Sequence, residues 1–281
     1  ETATILNYLD AECTSIEIGG QAEAPDNTSV AGNRQIRGPL NGFYYVNNTQ
    51  PTDLSTGGTN YANFDDVFTD LNSVGVSGTV IFNIFAGQTF NATCSNVGIY
   101  SNTNTNYAYL LQINGTIATP VIFQKTGEGA DPVINFTGAS STNINVGFLL
   151  YGADYITFDH LKINDAGTDE STYLDRAFYI LNFGEDGANN NTLKNLNIDL
   201  TGTNSASIGI YLYNNYLSSL VAPNNNNLFY NNILTDMNSG YYLNAFRVED
   251  SGNIIGTIDG GTSSITNLYS NSSTTIYGIY A

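Results

Sequence analysis

Tryptophan is absent from this 281-residue chain, and methionine and histidine occur once each. Lysine and arginine number 7 against 25 aspartates and glutamates, a formal net charge of −18. So few cations exclude a nucleic-acid surface, where Lys and Arg must replace counterions. The same deficit excludes attachment to anionic lipid. No apolar run approaches the roughly 20 residues a membrane helix needs. Without Trp, the chain lacks the largest aromatic face a dedicated sugar-binding module would use. The two cysteines, Cys13 and Cys94, form neither a CxxC pair nor part of a metal-ligand cluster. Either they make one disulfide tying the N-terminal segment to the body, or they are unrelated thiols; an exported protein favours the disulfide.

What is present is polar but uncharged. Charged residues are only 11 %, so Asn, Thr, Ser and Gly supply the surface, as is common in extracellular repeat proteins. The chain begins at Glu1 without Met or signal peptide, and ends at Ala281 within the alternating run Thr275-Ile276-Tyr277-Gly278-Ile279-Tyr280. The expectation is a processed polypeptide that continues beyond 281.

Residues 1–40 lack periodicity and hold Pro25 and Pro39, which predicts an irregular segment with a short edge strand at Thr14–Ile18. Residues 63–73 predict a helix. Asn63 is a suitable N-cap, and Asp65 and Asp66 suit the positive end of the dipole. Phe64, Val67, Phe68 and Leu71 make one apolar stripe at i, i+3, i+4 and i+7. Gly75 and Gly78 follow as stops. Strands are predicted at Thr79–Phe85, Tyr109–Ile113, Val121–Gln124 and Val133–Phe136, between loops of Asn, Gly and Thr.

A repeat emerges from residue 148 onward. Phe158, Leu161 and Ile163 recur as Leu193, Leu196 and Ile198, then as Leu228, Asn231 and Ile233, each step being 35 residues; Ile255 and Ile258 make a partial fourth copy. A second track runs through Phe148-Leu149-Leu150, Phe178-Tyr179-Ile180, Ile210-Tyr211-Leu212, Phe246-Arg247-Val248 and Ile279-Tyr280. One such unit has too little apolar face to bury alone, and stacking buries it. A propeller would need about 40 to 50 residues and four strands per repeat, and a leucine-rich repeat its own shorter consensus. Neither fits. The fold class read here is all-β: a right-handed parallel β-helix over 41–281, with the helix near 63–73 capping its open N-terminal end.

Gly57-Gly58-Thr59-Asn60-Tyr61-Ala62-Asn63-Phe64, with Leu71-Asn72 leading to Gly78-Thr79-Val80-Ile81-Phe82-Asn83-Ile84, resembles the start of a known domain family. These are the pectate-lyase-like β-helix domains of large surface proteins exported by type IX secretion in gliding Gram-negative bacteria. Ile113-Asn114-Gly115-Thr116, Pro120 to Gln124, Asp131 to Ile134 and Tyr155 to Asp159 are similar to its next coils. The resemblance covers residues 40–281 and implies fold and bacterial export. It leaves activity open, because this scaffold hosts lyases, hydrolases, adhesins and inert stalks.

Lyases of this type need a basic side chain beside acidic calcium ligands. Lys162 and Lys194, with Asp159 and Asp199, are candidates for a charged patch on the outer wall; a solvated face with weak ion pairs is the simpler account. His160, the lone histidine, follows Phe158-Asp159, but a general base needs a positioned partner. The loop Asp165, Asp169, Glu170, Asp175, followed by Glu185 and Asp186, offers hard oxygen ligands for calcium, though in no EF-hand spacing. Tyr211, Tyr213 and Tyr230 are candidates for stacking on sugar rings or a partner protein. The sequence thus reads as a secreted or cell-surface module, adhesive or structural. Its expected partners are polysaccharide, other cell-surface components or further copies of itself. The competing activity is a polysaccharide lyase or glycoside hydrolase working in a groove along the helix.

Overall fold

The structure, a computed structural model, describes residues 38–281 except 55–56, 101–102, 202–203, 205, 215–221, 246–248, 258–260, 269–276 and 281. The segment 1–37, with Cys13 and the edge strand expected at Thr14–Ile18, lies outside the described residues. The chain divides into two compact units at Ile36/Arg37, and the second, Arg37–Ala281, contains all the described residues.

The unit opens with β1 (Leu40–Val46), the short β2 (Asn60–Tyr61) and the helix α1 (Phe64–Val74). Asn63 caps α1: its Oδ1 accepts the Asp66 N–H at 2.8 Å. Gly75, at φ +65°, ends it. Phe64, Val67, Phe68 and Leu71 are all buried, so the stripe is a core face. The Phe68 ring stacks on Tyr109 at 4.6 Å and on Phe123 at 5.5 Å. Among the described residues no helix is long and apolar enough to cross a membrane.

After α1 the strands come in threes. The first set is β3 (Val76–Phe85), β4 (Thr89–Thr93) and, after the hairpin strand β5 (Asn96–Tyr100), β6 (Thr103–Leu111). Next come β7 (Val121–Thr126), β8 (Val133–Thr137) and β9 (Ile144–Tyr151), then β10 (Ile156–Asp159), β11 (Lys162–Asp165) and β12 (Arg176–Leu181). They are followed by β13 (Thr192–Lys194), β14 (Asn197–Asp199) and β15 (Ile208–Tyr213), then β16 (Leu228–Tyr230), β17 (Ile233–Met237) and β18 (Ser239–Asn244). The last set is β19 (Ile254–Gly256), β20 (Ser264–Leu268) and β21 (Tyr277–Tyr280).

Each set gives one strand to each of three sheets, always in the same order. Sheet 1 runs β19-β16-β13-β10-β7-β3-β1-β2, sheet 2 runs β20-β17-β14-β11-β8-β4, and sheet 3 runs β21-β18-β15-β12-β9-β6-β5. The fold is all-β with parallel sheets; β5 with β6 is the one antiparallel strand pair among the described residues.

In-register pairing stacks like on like. Phe82, Phe123, Phe158, Leu193, Phe229 and Ile255 align across sheet 1. Phe90, Ile134, Ile163, Ile198, Leu234 and Ile265 align across sheet 2. Tyr109, Phe148, Phe178, Ile210 and Tyr241 align across sheet 3. Rings stack at 5.0 Å for Phe82–Phe123, 4.7 Å for Phe123–Phe158 and 5.0 Å for Phe148–Phe178. That is the interstrand spacing of about 4.8 Å, so backbone pairing and ring packing share one repeat. Each fully buried Phe adds about 1.5–3 kcal/mol.

The register corrects the third copy of the repeat. Leu193 pairs with Phe229, 36 residues on, and Ile198 pairs with Leu234. The inward set is therefore Phe229, Asn232 and Leu234 rather than Leu228, Asn231 and Ile233; Ile233 is in fact 37 % exposed. One extra residue in a loop is enough, because a period-two strand presents its other face after a slip of one. In the second track Tyr241-Tyr242-Leu243 of β18 aligns with Ile210-Tyr211-Leu212. The residues expected there, 246–248, lie outside the described residues, as does Ile258, and Ile265 takes the inward place on β20.

Buried corners join the sheets, and each corner leaves backbone groups that the ladders do not reach. Asparagines take them. Asn191 Oδ1 accepts Ile156 N–H at 2.9 Å, Asn227 Oδ1 accepts Asn191 N–H at 2.9 Å, and Asn253 Oδ1 accepts Asn227 N–H at 2.8 Å. Their amides donate to the Ala153, Ala188 and Asn224 carbonyls at 2.8, 3.0 and 2.9 Å. At the next corner Asn232 repeats the pattern, accepting Leu196 N–H at 3.0 Å and donating to Leu193 O at 2.9 Å. Beside these ladders the chain turns in left-handed conformations at Tyr155, Asn190 and Asn226 (φ 55°, 57°, 57°) and at His160, Asn195 and Asn231 (φ 55°, 52°, 56°). Asn tolerates that region best among residues with a Cβ.

Asn227→Ala leaves two buried backbone groups unpaired, at about 1–3 kcal/mol each. We expect a loss of roughly 2–5 kcal/mol in denaturant unfolding, against a smaller loss for the half-buried Asn225→Ala. Equal losses would show that burial does not set the strength of the ladder.

Candidate functional site

The residues singled out in the sequence fall in several separate places. On the outer face of sheet 1, Asp159, Lys194 and Tyr230 stand in register on β10, β13 and β16. Lys194 Nζ lies 3.1 Å from Asp159 Oδ2. Asp159 Oδ1 accepts Asn195 Nδ2 at 2.7 Å and lies 2.6 Å from His160 Nδ1. Burial opposes the Lys194 charge, but Asp159 and then Tyr230 hold its ammonium above the usual lysine value. His160 is thus a left-handed corner residue tied to its neighbouring carboxylate.

On sheet 2, Lys162 Nζ meets Asp199 Oδ2 at 3.8 Å, and Thr235 Oγ1 donates to Asp199 Oδ1 at 3.2 Å. Lys162 and Lys194 therefore lie on different sheets, each with its own aspartate, instead of converging in one patch. The more open pair, Lys162–Asp199, is of the kind that contributes about 0–1 kcal/mol, while Lys194–Asp159 is the more buried of the two.

Tyr211 and Tyr213 belong to a second apolar cluster, on the outward face of sheet 3, with Leu149, Tyr179 and Leu181. Tyr211 stacks on Tyr179 at 5.0 Å and carries the Arg176 guanidinium 5.2 Å from its ring centre. Tyr213 is 8 % exposed. These two tyrosines pack against their neighbours in the sheet 3 cluster. The repeat signalled this: a strand whose outward positions are also apolar is covered on both faces.

The acidic loop does not gather its carboxylates. Asp165, following β11's inward Ile163, accepts the Gly167 N–H at 2.8 Å, and burial raises its pKa. Asp169 accepts the Ser171 hydroxyl and N–H at 2.6 and 3.0 Å, which lowers its own. Glu170 is exposed. Asp175 accepts Asn145 N–H at 2.8 Å and Asn204 Nδ2 at 2.9 Å. Among the described residues no three His, Cys, Asp or Glu side chains come together to hold a metal ion. The carboxylates expected to share a calcium ion stand apart, and Asp165 Oδ1, Asp169 Oδ1 and Asp175 are each held by local donors. Cys94 is a free, buried thiol donating to Val146 O at 3.2 Å; burial, with Asp175 and Asp165 nearby, pushes its pKa up to about 12. Its expected partner Cys13 lies outside the described residues.

One concave feature with mixed chemistry lies where β6, β9 and β12 end side by side in sheet 3. Gln112, Asn114, Tyr151, Phe183, Glu185 and Asp186 line a cleft of about 460 Å³ there. The Phe183 ring is 50 % exposed and meets Tyr151 edge-on at 4.9 Å. Its loop is a closed turn: Phe183 N–H donates to Asp186 O at 2.7 Å, and Asp186 N–H donates back to Phe183 O at 3.0 Å. Gly184, at φ +60°, makes the reversal, and Ala222 N–H donates to its carbonyl at 3.1 Å. Gly152, at φ +65°, admits the loop, since a Cβ there would sit 2.8 Å from Phe183 Cβ. Behind the cleft, Asp154 accepts Asn189 N–H at 2.6 Å. Burial pushes its pKa up to about 6, the Asn189 N–H pulling it down and the Asp186 charge adding to the rise. Glu185 and Asp186 were visible in the sequence as an acidic pair. Phe183 was not singled out, although an aromatic between Asn182 and Gly184 in a polar loop was the available signal.

Compared with known proteins, the chain matches no family model, no curated protein and no solved structure.

Asp154 carries a signed pH dependence. Its folded pKa is raised above the unfolded value of about 3.9. Its contribution to stability is therefore fully present below that value and is lost as pH rises through about 6. Asp165 and Asp250, also raised by burial, act in the same direction. Asp154→Asn keeps an acceptor for Asn189 and removes the titration. Thermal melting from pH 4 to pH 7 is expected to fall less steeply in this variant than in the parent.

Proposed function

We propose that the three sheets are the walls of a right-handed parallel β-helix, that α1 closes its N-terminal end, and that the chain is a secreted or cell-surface module of bacterial origin with an adhesive or structural role. The observation that carries this is the fixed order of visits: every set of three strands passes sheet 1, sheet 2 and sheet 3 and stacks in register on the set before. Right-handed crossovers are the rule for parallel connections. Stacked rounds of this kind make a stiff spacer, and loop insertions alter its surface without disturbing the core. An acidic, Asn- and Thr-rich exterior suits the extracellular medium, and the residues 57–84 that resemble type IX cargo domains are the ones that build α1 and β3.

The wall chemistry also favours a non-catalytic role. Lys162, Lys194 and Lys125 each sit beside an aspartate, Lys125 with Asp131 at 3.0 Å. A lyase base needs to face its substrate's acidic C–H with a calcium-bound carboxylate beside it. The cleft at Phe183 holds carboxylates and amides but no lysine or arginine in its lining.

The test is a binding and activity screen of the purified chain on acidic and neutral polysaccharides, with calcium and with chelator. We expect binding to polysaccharide or to a cell surface, insensitive to chelator and without release of unsaturated or reducing ends. Released ends would replace this proposal with the lyase or hydrolase alternative.

A further inference from the structure

We propose that the cleft at the ends of β6, β9 and β12 binds one ring of a neutral saccharide, with Phe183 as the stacking platform and the Glu185 and Asp186 carboxylates and Gln112 and Asn114 amides as hydroxyl partners. This rests on the surface-module function and assigns a ligand class and a place to it.

Phe183 is one of several large apolar side chains left open to solvent, Phe43 among them, and it is the exposed one that lines this cleft. A large apolar ring kept half exposed loses about half of the free energy its full burial would supply. Yet its loop is held by both hydrogen bonds of the Phe183–Asp186 pair and by Ala222 N–H on Gly184 O, so the ring is displayed on a rigid support. Tyr151 packs against it at 4.9 Å in a T-shaped pair, Tyr100 backs Tyr151 at 4.9 Å, and the Phe183 side chain lines the cleft. Rigid display of an aromatic lowers the ordering cost of binding.

The rest of the lining selects the ligand. Carboxylates and primary amides accept and donate in the paired geometry that adjacent sugar hydroxyls offer, and hydrogen bonds to a charged acceptor are the stronger kind. The volume of about 460 Å³ lies in the range of small-molecule clefts. Charge excludes the acidic sugars: Glu185 and Asp186 line the cleft, Asp154 stands behind it, and the whole chain carries −18. A uronate would meet like charge without a cation to balance it. A neutral pyranose, with an apolar C–H face for Phe183 and equatorial hydroxyls for the rim, fits.

The chain has no tryptophan, so Phe183→Trp installs a single tryptophan on the platform itself, excited selectively near the red edge beyond tyrosine absorption. The experiment titrates this variant and the parent with oligomers of glucose, mannose and galactose and with oligogalacturonate. Trp emission follows the variant, and calorimetry follows both proteins. A shift in Trp emission with a neutral oligomer is expected, with affinity equal to or tighter than the parent. Phe183→Ala and Glu185→Gln, both at exposed side chains, are expected to weaken binding about tenfold or more at unchanged melting temperature. Neutral binding that survives both substitutions would overturn this site and leave the surface-module function standing. Preference for oligogalacturonate would overturn the neutral assignment. Failure of every oligomer would overturn the site, while retained binding to whole polysaccharide or cells in the screen would still support the module.

Discussion

A parallel sheet satisfies its own backbone, but the corners between sheets do not, and in this protein asparagine amides complete them. Each amide both accepts an N–H from the round before and donates to a carbonyl near it. Asn191, Asn227 and Asn253 thus link successive rounds by side chain as the strands link them by main chain. The cost of a dry, unpaired amide is comparable to that of a lost core methylene or more. A chain that turns sharply inside its own core therefore needs this ladder as much as it needs the phenylalanine stacks.

That constraint separates what is fixed from what is free. Strands and short corners repeat at the interstrand distance, so their residues are dictated by the neighbours above and below. The middles of the longer connections, around 116–119, 167–172 and 183–187, carry less of that demand, and sequence there can serve recognition. The Phe183 turn is built in one of them, on the rigid ends of three adjacent strands. Its rigidity comes from the scaffold and its chemistry from the loop.

Much of the fold was legible in the sequence for simple reasons. The α1 stripe has a helical period with a cap at each end, and the Phe158, Leu193 and Ile163, Ile198 tracks have the strand period, so both declare themselves. The third copy was misplaced by one residue because Leu228 and Ile233 are as apolar as Phe229 and Leu234; hydrophobicity alone did not say which face turned inward. The candidate site was less legible. Tyr211 and Tyr213 look like binding residues until the outward cluster of sheet 3 is seen. The carboxylates at Asp165, Asp169 and Asp175 look like ligands until their hydrogen bonds are traced. Phe183, Tyr151 and Gln112 are far apart in the chain and meet through stacking that no local pattern encodes.

The asparagine ladder also sets what deamidation would do to this protein. Hydrolysis of the Asn227 amide would exchange a donor for an anion facing the Ala188 carbonyl, in a fully buried corner. Burial and double hydrogen bonding restrain the side chain from the backbone attack that deamidation requires. A first converted residue would loosen the corner and expose the amides on either side. Ageing of such a protein would then spread from round to round instead of accumulating at scattered surface positions.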